Sequence, residues 1–280
     1  MKLAAVDLFS GIGGMAQAVR DAGFELAALC EIEPMCRRIL EKNFPGTPIL
    51  EDIHDVSIPL TEGDESLALL TGAFPLQANF TRGERRERDT RSLWEQFVRI
   101  VGEARPAWAV VETLPRFSTM GLDDAAWDLE RAGYATVAIH LPAQAVGCPL
   151  RKDRIYLVAA RSEDPRPAPA IGPGDGDPPP SWPAPGPELH RVAQRPGRDL
   201  DEHVALLHAI GDATVPLQAG AILGSIAAYE REWRLGSSAT RTSRPSTSSS
   251  TASVRPARTA RASRSRNFGS ASRRPTPGFR

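Results

Sequence analysis

Short apolar segments alternate with helix-like segments over residues 1–161, and this alternation constrains the fold more than any other feature of the sequence. Apolar runs that end at turn residues are typical of buried strands, whereas apolar positions that recur every three or four residues are typical of helices. The pattern predicts strands over residues 3–8, 24–30, 67–70, 107–111, 134–141 and 155–159. It predicts helices over residues 15–22, 34–43, 92–104 and 123–132, the third capped by Ser92 with Glu95 three residues on. Strands and helices that alternate in this way predict an α/β fold with a doubly wound, Rossmann-like sheet.

The rest of the chain is organised differently. Residues 165–187 are so rich in proline and glycine that a helix or a central strand is excluded, and we interpret them as a linker or mobile loop. A helical pattern returns over residues 217–234. From residue 236 the composition shifts to serine, arginine, threonine, alanine and proline, which cannot fold alone. This segment is a disordered nucleic-acid-binding tail, a solvated tail without a specific role, or out-of-frame translation of GC-rich DNA; the abrupt change slightly favours the last.

The formal net charge of zero conceals two oppositely charged parts. Residues 237–280 contain ten arginines and no acidic residue, so the rest of the chain carries a formal charge of −10 (0 minus +10). An acidic body is unusual for a DNA-binding protein, because affinity for DNA comes largely from neutralising phosphates. One basic cluster is present, made of Arg82, Arg85, Arg86, Arg88 and Arg91, and Glu84, Glu87 and Asp89 dilute it.

The sequence also limits where the chain acts. No stretch of about 18 apolar residues is present, which predicts no membrane span. The first residues lack the apolar core and cleavage site of a signal peptide. Cys30, Cys36 and Cys148 are too few and too irregularly spaced for a disulfide framework or a zinc site. We therefore expect a cytoplasmic protein without a metal, and we expect it to be a monomer.

A glycine-rich turn is the first candidate binding feature. The string Asp7-Leu8-Phe9-Ser10-Gly11-Ile12-Gly13-Gly14 follows the first predicted strand and begins the first predicted helix. Glycines let the backbone approach a ligand, and a helix N-terminus offers N–H donors. The spacing differs from G-x-G-x-x-G, which disfavours a nicotinamide dinucleotide. Glu31 ends the second predicted strand, where a carboxylate can accept hydrogen bonds from ribose hydroxyls.

These residues, with others that follow in order, resemble the motifs of the DNA cytosine-5 methyltransferases. The string D-L-F-S-G-I-G-G is similar to the first motif, and Glu51-Asp52-Ile53 is similar to the third. The remaining matches are residues 71–81 to the catalytic loop G-G-x-P-C-Q-x-F-S, Val111-Glu112-Thr113-Leu114 to E-N-V, residues 146–154 to the eighth motif, and Gly211-Asp212-Ala213-Thr214-Val215-Pro216 to G-N-A-V-V-P. The resemblance covers about residues 3–161 and 182–234, and residues 182–216 look like compact phage and prophage members.

The resemblance implies S-adenosylmethionine as the cofactor. Glu31 would bind the ribose, Ile32 would pack on the adenine, and Asp52 would contact the adenine amino group. The full set of implied cofactor residues is Asp7, Phe9, Gly11, Gly13, Gly14, Glu31, Ile32, Asp52, Ile53, Pro75, Asp212 and Thr214. Asp212 replaces the asparagine of the last motif. If it faces the cofactor carboxylate, the two negative charges should weaken binding or raise a carboxyl pKa.

The resemblance also implies a pocket for a cytosine flipped out of double-stranded DNA. In the family a cysteine thiolate adds to C6 of the base, a glutamate stabilises the protonated N3, and C5 then takes the methyl group. Glu112 corresponds to the glutamate, Arg154 would contact the cytosine carbonyl oxygen, and Lys152 replaces an arginine near the base. Leu76 stands at the position of the cysteine, and a leucine side chain cannot form the adduct.

Three hypotheses follow. The chain is a DNA cytosine-5 methyltransferase impaired by the loss of the nucleophile at Leu76, or it uses a substitute nucleophile such as Cys148 or another substrate such as RNA. Alternatively, it is a non-catalytic regulator that binds S-adenosylmethionine or DNA. We expect a catalytic domain over residues 1–161, a linker with a reduced target-recognition region over 162–208, a segment completing the catalytic domain over 209–235, and a tail over 236–280.

Overall fold

A computed structural model of the protein describes residues 2–58, 66–74, 84–115, 121–163 and 209–242. Pro75 and Leu76 therefore lie outside the described residues, as do the proline-rich residues 165–187 and the tail from residue 243.

Within the described residues, seven strands form one sheet in the order β3-β2-β1-β4-β5-β7-β6. The strands are β1 (Ala4–Leu8), β2 (Glu25–Cys30), β3 (Ile49–Leu50), β4 (Leu69–Ala73), β5 (Trp108–Thr113), β6 (Tyr134–Pro142) and β7 (Asp153–Arg161). The first five positions of the sheet are parallel, whereas β7 is antiparallel to β5 and to β6. The helices are α1 (Gly14–Asp21), α2 (Pro34–Asn43), α3 (Glu84–Ala104), α4 (Leu122–Arg131) and α5 (Pro216–Thr242).

Helices cover both faces of the sheet. Side chains alternate between the two faces along each strand, and apolar side chains point to both of them. Val6 of β1 belongs to the core beneath α3 and α4, together with Phe97 and Leu129. Its neighbour Ala5 belongs to the opposite core, where α1 and α5 contribute a second apolar layer that includes Met15, Val19, Ile222, Leu223 and Ile226. Covered on both sides, the sheet confirms the predicted doubly wound α/β fold.

Most strands and helices begin and end within three residues of the sequence-based predictions, and three elements differ in a more informative way. Helix α3 begins at Glu84, so Ser92 lies inside the helix and the prediction that it is the N-cap is wrong. Residues 84–91 are mostly glutamate and arginine, which are good helix formers and extend the helix before its apolar pattern begins. The two-residue strand β3 was not predicted because it is too short to show a periodicity. Helix α5 starts with a proline at its first position and runs to Thr242, past the predicted end at residue 234.

A buried polar cluster joins helix α5 to the sheet. Glu230 accepts a hydrogen bond from the indole Nε1 of Trp108 at 3.2 Å and from Nε of Arg234 at 2.8 Å. Arg234 also donates to the main-chain oxygen of Ser66 at 3.3 Å. Because Trp108 lies in β5, an interior strand of the sheet, these bonds hold α5 against the sheet. They thereby place the residues just before α5, 211–216, at the edge of the sheet where the candidate site lies.

Candidate active site

The candidate site lies where the parallel strands reach their carboxyl ends. Asp7 lies near the end of β1, Glu31 directly follows β2, and Glu112 is the penultimate residue of β5. Strand β7 runs the other way, so Arg154 lies at its beginning and reaches the same edge. Ligands of open α/β sheets bind at this edge. The fold therefore brings residues from four distant parts of the sequence into one region.

The turn between β1 and α1 has an unusual backbone. Phe9 has a φ of 55°, which is strained for a residue with a side chain, and Gly11 and Gly13 have φ of 54° and 94°. Ser10 closes the turn, because its hydroxyl donates to the main-chain oxygen of Asp7 at 2.9 Å. A Cβ added to Gly11 would meet nothing within 4 Å, whereas one on Gly14 would lie 2.3 Å from the main-chain oxygen of Thr214. The turn thus leaves space above Gly11 and packs tightly at Gly14.

Asp7 is fully buried beneath this turn. Its Oδ1 accepts a hydrogen bond from the hydroxyl of Thr71 on the neighbouring strand at 2.6 Å, whereas its Oδ2 has no hydrogen-bond partner. Burial raises the pKa of Asp7 to about 7, and the nearby Glu112 and Glu31 add to this increase. The carboxyl group therefore changes charge near neutral pH. Thr71 was not predicted from the sequence, although a polar residue within an apolar strand is a detectable signal.

Glu31 is held in place by the backbone. Its Oε2 accepts from the N–H of Gly11 at 2.7 Å, and its Oε1 accepts from the N–H of Glu33 at 2.8 Å. Ile32, which follows Glu31 directly, is 63% exposed, so its apolar side chain is open to a ligand. An apolar platform next to an oriented hydrogen-bond acceptor suits the ring and the sugar of an adenosine.

Asp52 and Ile53 follow strand β3 and form a short turn. Asp52 accepts from the main-chain N–H of His54 at 2.9 Å, and its Oδ1 lies 2.7 Å from Nδ1 of the same histidine. The bond from the backbone N–H of His54 lowers the pKa of Asp52, so this carboxyl group is ionised. Ile53 is buried in the core cluster that also contains Val6 and Phe97.

Glu112 is the centre of a buried hydrogen-bonded group. Its Oε1 accepts from Nε of Arg154 at 2.8 Å, and its Oε2 accepts from the hydroxyl of Thr214 at 2.5 Å. Burial raises the pKa of Glu112, while the bond from Thr214 and the charge of Arg154 oppose that increase. The three residues come from β5, β7 and the segment before α5. The sheet therefore brings Glu112 and Arg154, each expected to contact the base, into direct contact with one another.

Lys152 lies between this group and residues 211–216. Its Nζ donates to the main-chain oxygen of Ala213. Burial and the charge of Arg154 lower the pKa of Lys152, and the negative charges of Glu112 and Asp212 act in the opposite direction. Asp212 itself is exposed. The carboxylate that replaces the expected asparagine is therefore near a cation of the protein, which partly compensates its charge.

Cys148 is 2% exposed and packs in a small apolar cluster with Ala143, Val146 and Val215. Burial raises the pKa of Cys30 to about 12 and that of Cys36 to about 11. A buried, protonated thiol is a poor nucleophile. These environments do not favour any of the three cysteines as a substitute for the residue lost at position 76.

An open groove of about 450 Å³ runs between the glycine turn and the last motif. Its walls come from residues 12–14, from α1, from the end of α2, and from Ala213, Thr214 and Pro216. Of the predicted cofactor residues, Gly13, Gly14 and Thr214 line this groove, whereas Glu31, Ile32 and Asp52 lie at the ends of β2 and β3.

Phe9 contacts Phe74 edge to face at 5.4 Å between ring centres.

The family model for C-5 cytosine-specific DNA methylases matches residues 3–193. The chain belongs to this family. The resemblance found in the motifs is thus confirmed, and so is the expected cofactor at the level of the family, whose enzymes take the methyl group from S-adenosylmethionine. Among the described residues of this methylase-family chain, no helix is both long and apolar enough to cross a membrane.

Two curated relatives of this chain come from bacteria. It is 29% identical over 172 residues to the type II methyltransferase M2.BsuMI of Bacillus subtilis, which covers 58% of this chain and 43% of the relative. It is 29% identical over 182 residues to the type II methyltransferase M.XorII of Xanthomonas oryzae, which covers 58% and 42%. The chain thus spans less than half the length of these two relatives. A solved structure of a DNMT2 variant from Spodoptera frugiperda matches with a TM-score of 0.49 and 22% identity, over 59% of this chain and 51% of the other.

Proposed function

We propose that this chain binds S-adenosylmethionine and a flipped cytosine of double-stranded DNA, and that its methyl transfer is impaired because Leu76 replaces the nucleophile. The observation that carries the proposal is the buried Glu112–Arg154 pair at the carboxyl edge of the sheet, 2.8 Å apart. A carboxyl group with an oriented guanidinium beside it is suited to the edge of a pyrimidine. No such buried pair is needed for the sheet alone, since apolar residues would stabilise it as well.

The residues of the cofactor region fit S-adenosylmethionine. Ile32 offers an exposed apolar surface for the adenine, and Glu31 and Asp52 offer acceptors for the ribose hydroxyls and the adenine amino group. The space above Gly11 admits a ligand close to the backbone. When bound there, the cofactor supplies the methyl group. The glycine turn would lead it toward Thr214.

Glu112 and Arg154 would hold the base. The raised pKa of Glu112 favours a carboxyl group that can share a proton with N3 of cytosine. Arg154 would keep that carboxyl oriented and donate a hydrogen bond to the carbonyl oxygen of the base. What is missing is a thiolate at position 76, without which C5 stays a weak nucleophile. The residues therefore favour binding of both ligands with little or no transfer.

The test measures transfer of radiolabelled methyl groups from S-adenosylmethionine to unmethylated duplex DNA. The unmodified protein, Leu76→Cys, and Leu76→Cys combined with Glu112→Gln are compared, with a single-stranded RNA as a second substrate. We expect label only with Leu76→Cys, and less of it when Glu112→Gln is added. Label from the unmodified protein would contradict the impairment, and Cys148→Ser would then identify a substitute nucleophile.

A non-catalytic regulator is the alternative function, and the same residues motivate it. Titration calorimetry with S-adenosylmethionine and with duplex DNA separates the two functions. Saturable binding combined with no transfer by any variant would favour the regulator. No binding of either ligand would reject both functions, since each requires the pocket around Glu112. Sedimentation of the same samples tests the expected monomer.

A further inference from the structure

The hydroxyl of Thr214 has no counterpart in the motif that residues 211–216 resemble, in which this position is a valine. Threonine and valine have nearly the same shape, but only threonine carries a hydrogen-bond donor. Thr214 is 5% exposed, and its hydroxyl donates to Oε2 of Glu112 at 2.5 Å. A residue expected to line the cofactor groove therefore also contacts the carboxyl group of the base pocket.

The backbone fixes where this hydroxyl lies. The main-chain oxygen of Thr214 is so close to Gly14 that a Cβ there would lie 2.3 Å from it. Lys152 donates to the oxygen of the preceding residue, Ala213. The following residue, Val215, is buried beside Cys148. These contacts hold the backbone of residues 213–215 in place and so keep the Thr214 side chain next to Glu112.

The two oxygens of Glu112 have different partners. Oε1 is bonded to Arg154, which is itself 8% exposed and also donates to the main-chain oxygen of Asp153 at 3.0 Å. Oε2 is bonded to the neutral hydroxyl of Thr214. The bond from Arg154 joins two opposite charges, whereas the bond from Thr214 involves only the charge of the carboxylate. Oε2 is therefore the oxygen that a ligand can take over more easily.

We propose that Thr214 is a positioning residue that acts through Glu112. Its hydroxyl holds Oε2 in one orientation until the hydrogen-bonding edge of a nucleobase replaces it. The replacement by a base rests on the proposed function, whereas the positioning of Glu112 does not. In a valine variant the carboxyl group would lose the bond from Thr214 and keep the bond from Arg154, so its orientation would be less defined.

Other charged and titratable groups also face Glu112. Arg154 and Lys152 lie at the start of β7, Tyr156 pairs with Glu112 across β5 and β7, and Asp7 approaches from β1. These groups are the same in the unmodified protein and in variants of Thr214. A change in the titration of Glu112 between such variants therefore reports the loss of the hydroxyl.

The test follows the side-chain carboxyl carbon of Glu112 by NMR as a function of pH, with Glu112→Gln used to assign its signal. It needs neither S-adenosylmethionine nor DNA, so its failure is distinct from failure of the proposed function. We expect Thr214→Val to titrate at higher pH than the unmodified protein, because a donor to the ionised form is lost. We expect Thr214→Ser, which keeps a hydroxyl, to titrate like the unmodified protein.

Equal midpoints for Thr214→Val and the unmodified protein would overturn the proposal, as would equal shifts in Thr214→Val and Thr214→Ser. A second measurement does not depend on the valine variant folding. In the unmodified protein the hydroxyl proton of Thr214 should exchange slowly with solvent and give a separate NMR signal at a pH where Glu112 is ionised. Absence of a protected hydroxyl signal there would also overturn the proposal.

Discussion

Arg154 donates from Nε to Oε1 of Glu112 at 2.8 Å, and both side chains are buried. They are 42 residues apart in sequence, and the antiparallel pairing of β5 with β7 brings them together. A buried ion pair contributes little relative to apolar residues, but removing one partner leaves the other without compensation. Both residues must therefore be present together, and this part of the sheet is a polar site within the protein.

Replacing Arg154 with methionine should destabilise the protein by about 3–5 kcal/mol, because Glu112 would remain buried without its cation. Urea unfolding measures this change as a lower midpoint at an unchanged slope. Arg151→Met is the matched control, since Arg151 is three residues away and exposed. The control should change stability by no more than about 0.5 kcal/mol. Equal midpoints for the two variants would contradict the account of the pair.

Asp7 should make stability depend on pH near neutrality. Its folded-state pKa of about 7 lies above the value of an unfolded aspartate, so the folded state binds more protons between these two values. The stabilisation is complete below about pH 4 and is lost as the pH rises toward 7, with a total of up to about 4 kcal/mol.

Asp7→Asn removes this titration and leaves the other carboxyl groups in place. Urea unfolding of both proteins from pH 4 to pH 8 gives the difference in the free energy of unfolding. The difference should change in favour of Asp7→Asn as the pH rises and then level off above the folded-state pKa. A difference that stays constant across this range would show that Asp7 is already ionised in the folded protein.

The edge of the sheet at which the candidate site lies follows from the sequence pattern for a physical reason. Glu31 and Glu112 each end an apolar run, and the carboxyl ends of parallel strands share one edge of a sheet. Their convergence therefore follows from the alternation of strands and helices. The pairing of Arg154 with Glu112 is less direct, because it also requires β7 to insert antiparallel between β5 and β6.

Contacts between distant segments were not predictable in the same way. The bond from Thr214 to Glu112 joins residues 102 positions apart, and the bond from Thr71 to Asp7 joins residues 64 apart. Neither leaves a periodic signal, since each depends on how a segment packs onto the finished sheet. The start of α3 was missed for a different reason. Residues 84–91 have a helix-forming composition, but they lack the apolar positions every three or four residues from which a helix is predicted.

Asp212→Asn restores the amide of the motif and should strengthen binding of S-adenosylmethionine. If residue 212 faces the cofactor carboxylate, the variant removes one of two like charges. Asp212 is exposed, so solvent screens the repulsion and the gain should be at most about fivefold in Kd. Titration calorimetry at low and high salt measures it, and the gain should shrink as salt rises. Tighter binding by the unmodified protein would mean that Asp212 contacts a positive group of the ligand.

Gly14→Ala tests how closely the last motif packs on the glycine turn. A Cβ at this position would lie 2.3 Å from the main-chain oxygen of Thr214, which is backbone and cannot rotate away. Overpacking of this kind lowers the free energy of unfolding by about 1–3 kcal/mol.

Gly220→Ala is the matched control, because Gly220 lies in helix α5 with nothing within 4 Å of an added Cβ. Alanine there should stabilise the protein by up to about 1 kcal/mol, since it is the better helix former. Urea unfolding should therefore shift in opposite directions for the two variants. If both variants were stabilised, residues 211–216 would not be held against the turn.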